Sequence, residues 1–596
     1  MRSAPTTVRP WRPSTVLPQG ILAVTSPLPA GRQVRGYIDS SFSIFEVLDF
    51  TPEDITNFVG KWFHGEPEKA KALNSELARR TRVKTLAGNP LLLSFVCILY
   101  GKSGTLPERR VSLYEKCVEV LLKDWDETRD IKRRNRFTQD KKKQLLKYIA
   151  ERFFIEGKRY FTKKELLSAI REFLPDLYLK PEEAEEILKE ISASHGLLKE
   201  QADGWYGFLH LTLQEYFAAC AMYEGRRYNI AIENSFKPWW EEVILLLAGI
   251  GDSTELIKGL FEKPDDIFDH NLMLAGRCLA EKPTLKGGGK LREAVLNKLR
   301  GFVVSAGEYW HNTGNAINVL AETGEFDFLL ALLRDKKTDR YVRSIIAYAL
   351  GEIGDSGIVA ELMPILRNDK TDNDVRGSIA FALGKIGDSS IVAELMPVLL
   401  DEKTDNFVRG SIAYYVLGKI GGSSIVAELM PILRNDKADR YVRGSIASVL
   451  GKIGGSSIVA ELMPILRNDK ADEYVRGSIA SALGKIGGSS IVAELMPILR
   501  DDKTDTWVRG SIASVLGKIG GSRIVAELIP ILRDEKTDND VRGSIASALG
   551  NIGDSSIVAE LMPILRDETT NNDVRGRIAS ALGNIGGSNI VAELIY

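Results

Sequence analysis

A Val-Arg pair returns through the C-terminal half of the chain at a fixed interval: Val342-Arg343, Val375-Arg376, Val408-Arg409, Val442-Arg443, Val475-Arg476, Val508-Arg509, Val541-Arg542 and Val574-Arg575. Neighbouring pairs lie 33 residues apart, except that Val408 and Val442 lie 34 apart. The extra residue sits in Ala413-Tyr414-Tyr415-Val416-Leu417, the counterpart of Ala380-Phe381-Ala382-Leu383. A constant period in this range signals stacked supersecondary units, each too small to bury its own apolar face. Within one unit, Val375, Ile379, Leu383 and Ile386 recur at helical spacing, with Asp372 placed to cap the start and Gly387 to end the helix. The following Ser389-Ser390-Ile391-Val392-Ala393-Glu394-Leu395-Met396-Pro397-Val398-Leu399 opens on capping hydroxyls, is nearly all apolar and carries Pro397 where a bend is expected. Nothing alternates with period two. The array is expected to be all helix, an elongated interaction surface and not a closed enzyme core.

The full pattern, Asp-x-x-Val-Arg-x-x-Ile-Ala-x-Ala-Leu-Gly-x-Ile-Gly, resembles the short HEAT-like repeat of the phycobilisome-lyase type from about Asp339 onward. The signatures of ankyrin and tetratricopeptide repeats, whose periods are close, are absent from the sequence. Degenerate copies precede the regular ones at Leu246-Leu247-Ala248-Gly249-Ile250-Gly251, Leu274-Ala275-Gly276-Arg277-Cys278-Leu279-Ala280 and Ala316-Ile317-Asn318-Val319-Leu320-Ala321.

Because the copies are nearly identical, their differences stand out. The residue before each Val reads Tyr341, Asp374, Phe407, Tyr441, Tyr474, Trp507, Asp540 and Asp573. The residue six after it reads Tyr348, Phe381, Tyr414 and then Ser448, Ser481, Ser514, Ser547 and Ser580. Seven residues is two helical turns, so both positions share a face that is not the one carrying Val, Ile and Leu. Two readings are open for the aromatics: anchors for a protein partner, or staples packing on the preceding helix. The Asp three before Val and the Arg one after it, such as Asp472 and Arg476, are spaced for an ion pair within the unit.

Global properties bound the function. Lys+Arg total 79 against 80 Asp+Glu, a formal charge of -1, so no field pulls the chain toward nucleic acid or membrane. The basic run Lys132-Arg133-Arg134-Asn135-Arg136 with Lys141-Lys142-Lys143 reads as a solvated linker. Cys97, Cys117, Cys220 and Cys278 sit in apolar contexts without zinc spacing, the pattern of reduced core thiols in a cytoplasmic protein. No apolar run has the length of a membrane span, and the stretch before Gly20 lacks a signal-peptide core. None of the five histidines, His64, His195, His210, His270 and His311, is followed by Glu, which excludes a HEAT-repeat di-iron hydroxylase.

The first half differs in character. Helical stretches lead to Gly196-Leu197-Leu198-Lys199-Glu200, an Asp203-Gly204 turn and Trp205-Tyr206-Gly207-Phe208-Leu209-His210, which predicts a β-hairpin after helices, a winged helix. Val24-Thr25-Ser26, Gly88-Asn89-Pro90-Leu91-Leu92-Leu93, Leu106-Pro107-Glu108-Arg109-Arg110 with Leu113-Tyr114, Trp125-Asp126 and Phe208-Leu209-His210-Leu211-Thr212-Leu213-Gln214-Glu215-Tyr216-Phe217-Ala218-Ala219 resemble the C-terminal part of a NACHT signalling ATPase of the STAND class, over about residues 20 to 225. The resemblance implies that Pro90 lies against adenine and His210 approaches the nucleotide phosphates. The bland readings are a helix-breaking proline and a satisfied histidine. No phosphate-cradling loop accompanies them: Gly101-Lys102-Ser103 has Val96 where the first Gly belongs, and Gly289-Lys290 is followed by Leu291. Pro27 stands where the family carries Arg after Thr-Ser. The chain is therefore expected to begin inside the ATPase domain, to hydrolyse no ATP alone, and to use ATP or ADP only if the missing half is supplied. The last unit stops short of a full second helix, so an apolar edge and end-to-end homo-oligomerisation are expected.

The sequence thus predicts a mainly α chain, helical and winged-helix domains followed by an α-solenoid of HEAT-like helix pairs. The expected boundaries are 1–50 for an NTPase remnant, 51–130 helical, 131–230 winged helix and 231–596 solenoid. The expected function is a protein-binding sensor or scaffold of a NACHT-type system. The alternative is a nucleotide-free HEAT scaffold or phycobilin lyase-like chaperone.

Overall fold

The computed structural model describes residues 50–79, 86–107, 109–127, 138–194, 197–305, 310–387, 390–420, 422–554 and 556–585. The motif Val24-Thr25-Ser26, the NTPase remnant before residue 50, the run Lys132 to Arg136, His195 and the end of the last unit lie outside the described residues. The chain is mainly α, and one continuous apolar cluster runs from Ile55 to Leu582.

The N-terminal helices are Pro52–Trp62, Pro67–Arg79, Pro90–Ser103 and Arg110–Glu127. Thr51 opens the first with a capping box: its hydroxyl accepts from Asp54 N at 3.2 Å, and Asp54 Oδ2 accepts from Thr51 N at 3.0 Å. Helix Gln139–Ile155 follows, then strand Tyr160–Thr162, helices Lys163–Phe173 and Ala184–Ser194, and strands Leu198–Ala202 and Trp205–Phe208. The hairpin pairs Leu198 with Phe208 and Glu200 with Tyr206. Gly204 supplies the left-handed turn residue at φ +70°. A third strand, which the sequence reading did not predict, lies antiparallel on the outer side of Trp205–Phe208, Tyr160 facing Gly207. At three residues it is too short to show a period. The lysine cluster read as a solvated linker is also different: Lys142 is buried within helix Gln139–Ile155 and pairs with Glu190 at 2.9 Å.

From Tyr228 onward the chain is a stack of helix pairs. The first helices run Pro238–Ile250, His270–Ala280 and Trp310–Thr323 into the regular series Arg340–Ile353, Asn373–Ile386, Asn406–Ser411 with its continuation, Arg440–Ile453, Glu473–Ile486, Thr506–Ile519, Asn539–Ile552 and Asn572–Ile585. Each regular first helix packs on the next. A Cβ placed on Gly451 would come within 2.6 Å of Ala482 Cα, and one on Gly517 within 2.7 Å of Ala548 Cα. Backbones this close need glycine on one side and a small residue on the other. The second helices, such as Ser456–Arg467 and Ser489–Arg500, leave open grooves of about 670 Å³ between Arg367 and Thr404 and about 420 Å³ between Gly488 and Glu527. A stack that is tight in one layer and splayed in the other curves with the tight layer inside, so the first helices form the inner side.

The Asp and Arg of the motif do not pair with each other. Asp439 caps its own helix, accepting from Tyr441 N at 2.9 Å and Val442 N at 3.2 Å. The Arg turns back instead: Arg376 Nε donates to Leu366 O at 2.8 Å, Arg443 to Leu433 O at 2.9 Å, Arg476 to Leu466 O at 2.9 Å and Arg575 to Leu565 O at 3.0 Å. These carbonyls belong to the last turn of the preceding second helix, where acceptors lack intrahelical partners. The inter-unit ladder uses other residues, Arg334–Glu361, Arg367–Glu394, Arg434–Glu461, Arg467–Glu494, Arg500–Glu527 and Arg533–Glu560, along the second helices. Leu400 interrupts it, standing where the ladder arginine would face Glu428.

Candidate functional site

Two regions collect the candidate residues. The first lies where the N-terminal helices meet the winged helix. Asn89 precedes Pro90, the first residue of helix Pro90–Ser103, and its side-chain oxygen accepts from Leu92 N at 3.2 Å. Its amide nitrogen then faces His210 Nε2 at 2.7 Å. His210 is the N-cap of helix Leu211–Glu224, with Nδ1 2.9 Å from Thr212 Oγ1. The same Nδ1 accepts from Thr212 N at 3.2 Å, the bond by which His210 caps the helix. Pro90 and His210, 120 positions apart, are thus joined through one side chain. Both are half-buried.

Beside them a polar cluster ties the winged helix to the start of the solenoid. Arg110 bridges Glu242 at 3.3 Å and Glu281 at 3.2 Å, residues of helix Pro238–Ile250 and of the turn after His270–Ala280. Burial, and then Glu242, push the Glu215 carboxyl up to about 8, with Arg110 and Arg159 opposing. Burial also raises Glu242, against Arg110. Tyr114 and Tyr216 stack alongside, centroids 5.6 Å apart.

The second region is the inner face of the solenoid. Tyr341, Tyr348, Phe407, Tyr414, Tyr441 and Trp507 are exposed, between 43% for Tyr414 and 60% for Trp507, while Phe381 and Tyr474 are half-buried. Tyr348 stacks on Phe381 at 4.8 Å, Phe381 meets Tyr415 edge-on at 5.1 Å, and Tyr441 meets Tyr474 at 5.2 Å, so the aromatics touch from unit to unit. Three of them are seated on a glycine of the preceding first helix: a Cβ on Gly377 would strike Phe407, one on Gly444 would strike Tyr474, and one on Gly477 would strike Trp507. The two readings of these side chains therefore merge, one ring face on a neighbour and the other toward solvent. The extra residue of the third regular unit is absorbed as a single π-helical stretch, Ile412–Leu417, which turns both Tyr414 and Tyr415 outward. One added residue in a helix is accommodated this way, often where a surface is functional.

Comparison with known proteins follows this division. Residues 110–222 match the winged helix-turn-helix domain C-terminal to NACHT, and residues 326–416, 459–538 and 525–595 match HEAT repeats. The chain joins a NACHT-associated winged helix to a HEAT solenoid. No curated protein sequence matches it. Among solved structures, the karyopherin Kap121p bound to the SUMO protease Ulp1p is 15% identical over 85% of this chain and 58% of its own, with a TM-score of 0.36. A Kap121p mutant is 15% identical over 82% and 57%, TM-score 0.36, so the chain spans little more than half of that karyopherin. Human deoxyhypusine hydroxylase with glycerol is 20% identical over 50% of this chain and 98% of its own, TM-score 0.21.

The HEAT first helices carry one further row that the repeat's variable positions do not reveal. Lys385, Lys452, Lys485 and Lys518 occupy the position ten after Val, and Lys419 takes it in the unit with the inserted residue. All five are exposed on the face that carries the aromatics. The signal was present in the repeated Gly-Lys-Ile-Gly, whose Lys gives way to Glu352 in the first regular unit and to Asn551 and Asn584 in the last two.

Proposed function

We propose that this chain is a protein-binding scaffold of a NACHT-type signalling or defence system, acting by binding and not by catalysis. The observation that carries this reading is the exposed aromatic file on the inner HEAT face, laid over a frame of Val, Ile, Leu, Arg and Gly that does not vary. Large aromatics half-seated on glycine lose little rotamer freedom on binding, which suits them to anchor a partner. The Arg110 cluster gives the solenoid a rigid joint to the winged helix, so that a partner's capture is felt at the Asn89–His210 contact. Nucleotide, ATP or ADP, enters only with an NTPase core supplied beside Pro90 and His210. The four cysteines are buried and unbridged, the state that thiols keep in a reducing, cytoplasmic setting, and burial raises Cys97 and Cys117 to about 12 and Cys220 to about 11, which makes them inert core thiols. No helix among the described residues is long and apolar enough to cross a membrane.

The test is to identify the partner by affinity capture and then measure its binding with purified components. Tyr441, Tyr474 and Trp507 changed together to Ser should weaken binding at least about a hundredfold, a loss of about 3 kcal/mol from three anchors. Glu461→Lys with Glu494→Lys, on the second-helix side, should leave it unchanged. The reverse pattern would overturn the reading.

A further inference from the structure

Along each central first helix, four positions a turn apart form one stripe: an aromatic before Val, a serine three after it, Tyr414 or a serine six after it, and a lysine ten after it. Stacking four such helices makes parallel rows. The aromatic row is Phe407, Tyr441, Tyr474 and Trp507; the lysine row is Lys419, Lys452, Lys485 and Lys518. Eleven residues of helix separate them, about 16 Å. Resting on the reading of this face as a protein-binding surface, we infer that its partner is an acidic peptide segment with interspersed apolar side chains, lying across the first helices with its apolar groups on the aromatic row and its carboxylates on the lysine row.

The lysines are not there to serve the frame. The same position is Glu352 in the first regular unit and Asn551 and Asn584 in the last two, and those helices form equally well. Lys385 pairs with Glu352 at 2.9 Å, which closes one end of the row. Beyond it, Lys452 lies over the Tyr414 ring at 4.6 Å and Lys485 donates to Ser448 Oγ at 3.0 Å. No carboxylate lies within ion-pair distance of Lys452, Lys485 or Lys518 among the described residues. Burial and then the neighbouring Lys485 lower the Lys452 pKa, the mark of like charges held together without a counterion. With Arg440, whose guanidinium lies over Tyr441 at 5.0 Å, the strip holds five cations against the single Glu473 outside the capping aspartates. Charge complementarity therefore asks for an acidic ligand. The aromatic row, edged by capping carboxylates at Asp439, Asp472 and Asp505, favours a peptide over a phosphate backbone.

The test uses the full chain and a fluorescein-labelled Glu-rich peptide with interspersed Leu, beside its Gln counterpart and a single-stranded oligodeoxynucleotide. The Glu peptide should bind, and its affinity should fall as salt rises. The Gln peptide should bind roughly tenfold more weakly, and Lys452→Gln/Lys485→Gln/Lys518→Gln, shown by circular dichroism to be folded, should weaken the Glu peptide by a similar factor. Equal binding of the two peptides, preference for the oligonucleotide, no binding of the Glu peptide, or an unaffected triple variant would overturn the inference. If the natural partner is lost with the aromatic triple variant but kept with the lysine one, the acidic-ligand inference fails while the scaffold reading stands.

Discussion

The arginine after each Val is the residue on which the stack turns. It is buried in every unit but the last, where Arg575 is half-buried, and its Nε always points at the carbonyl of a leucine ten residues earlier, so it stitches each first helix to the end of the helix before it. Arg476→Ala removes that bond and the 3.0 Å pair with Asp469, and should cost about 2–3 kcal/mol in urea unfolding. Asp469→Ala, an exposed partner, should cost under about 1 kcal/mol. Glu215 gives a pH signature at the other end of the molecule. Its folded-state carboxyl keeps its proton until about pH 8, whereas the unfolded one loses it near 4.5. Between those values only the unfolded state gains from ionising, so stability falls as pH rises through this window and levels off above it. Glu215→Gln should abolish that fall, narrowing or reversing any deficit between pH 5 and pH 8 by on the order of 2–4 kcal/mol, read from urea midpoints at the two pH values.

Helices were largely legible from sequence. Asp372 and Gly387 bound helix Asn373–Ile386 as the capping pattern predicts, and Pro397 lies inside Ile391–Leu400. The motif's Asp–Arg spacing misled, because a helix N-terminus and a buried C-terminal carbonyl without an intrahelical partner compete for those groups and win. The short strand Tyr160–Thr162 exists only through its pairing with Trp205–Phe208, which no local pattern encodes. The insertion at Tyr415 was visible as a 34-residue step, but its resolution into a π-helical stretch depends on the neighbouring helices holding both ends in register. Glycine also carries meaning that depends on context. Gly451→Ala should destabilise by about 1–3 kcal/mol by forcing apart the helices at Ala482. Gly301, exposed within helix Gly289–Val304 with nothing within 4 Å among the described residues, should instead accept Ala with a gain of up to about 1 kcal/mol, from removing a flexible residue within a helix. Thermal unfolding of the two variants decides it.

At the scale of the molecule, the chain is a tight inner layer of first helices, an open outer layer of second helices and a polar joint to a winged helix. The period alone disclosed the array, and the hairpin with its His-Leu-Thr-Leu-Gln-Glu-Tyr-Phe sequence disclosed the winged helix. Which layer lies inside was not legible, since curvature comes from Gly–Ala contacts between units rather than from any one unit. The Asn89–His210 contact was equally hidden, two residues brought together over a long loop of chain. The proposed function places recognition on the inner layer. Deuterium exchange of the purified chain with and without its captured partner tests this most directly. Exchange should slow in Arg440–Ile453, Glu473–Ile486 and Thr506–Ile519 with little change in Ser456–Arg467 and Ser489–Arg500; protection confined to those second helices would overturn inner-layer recognition.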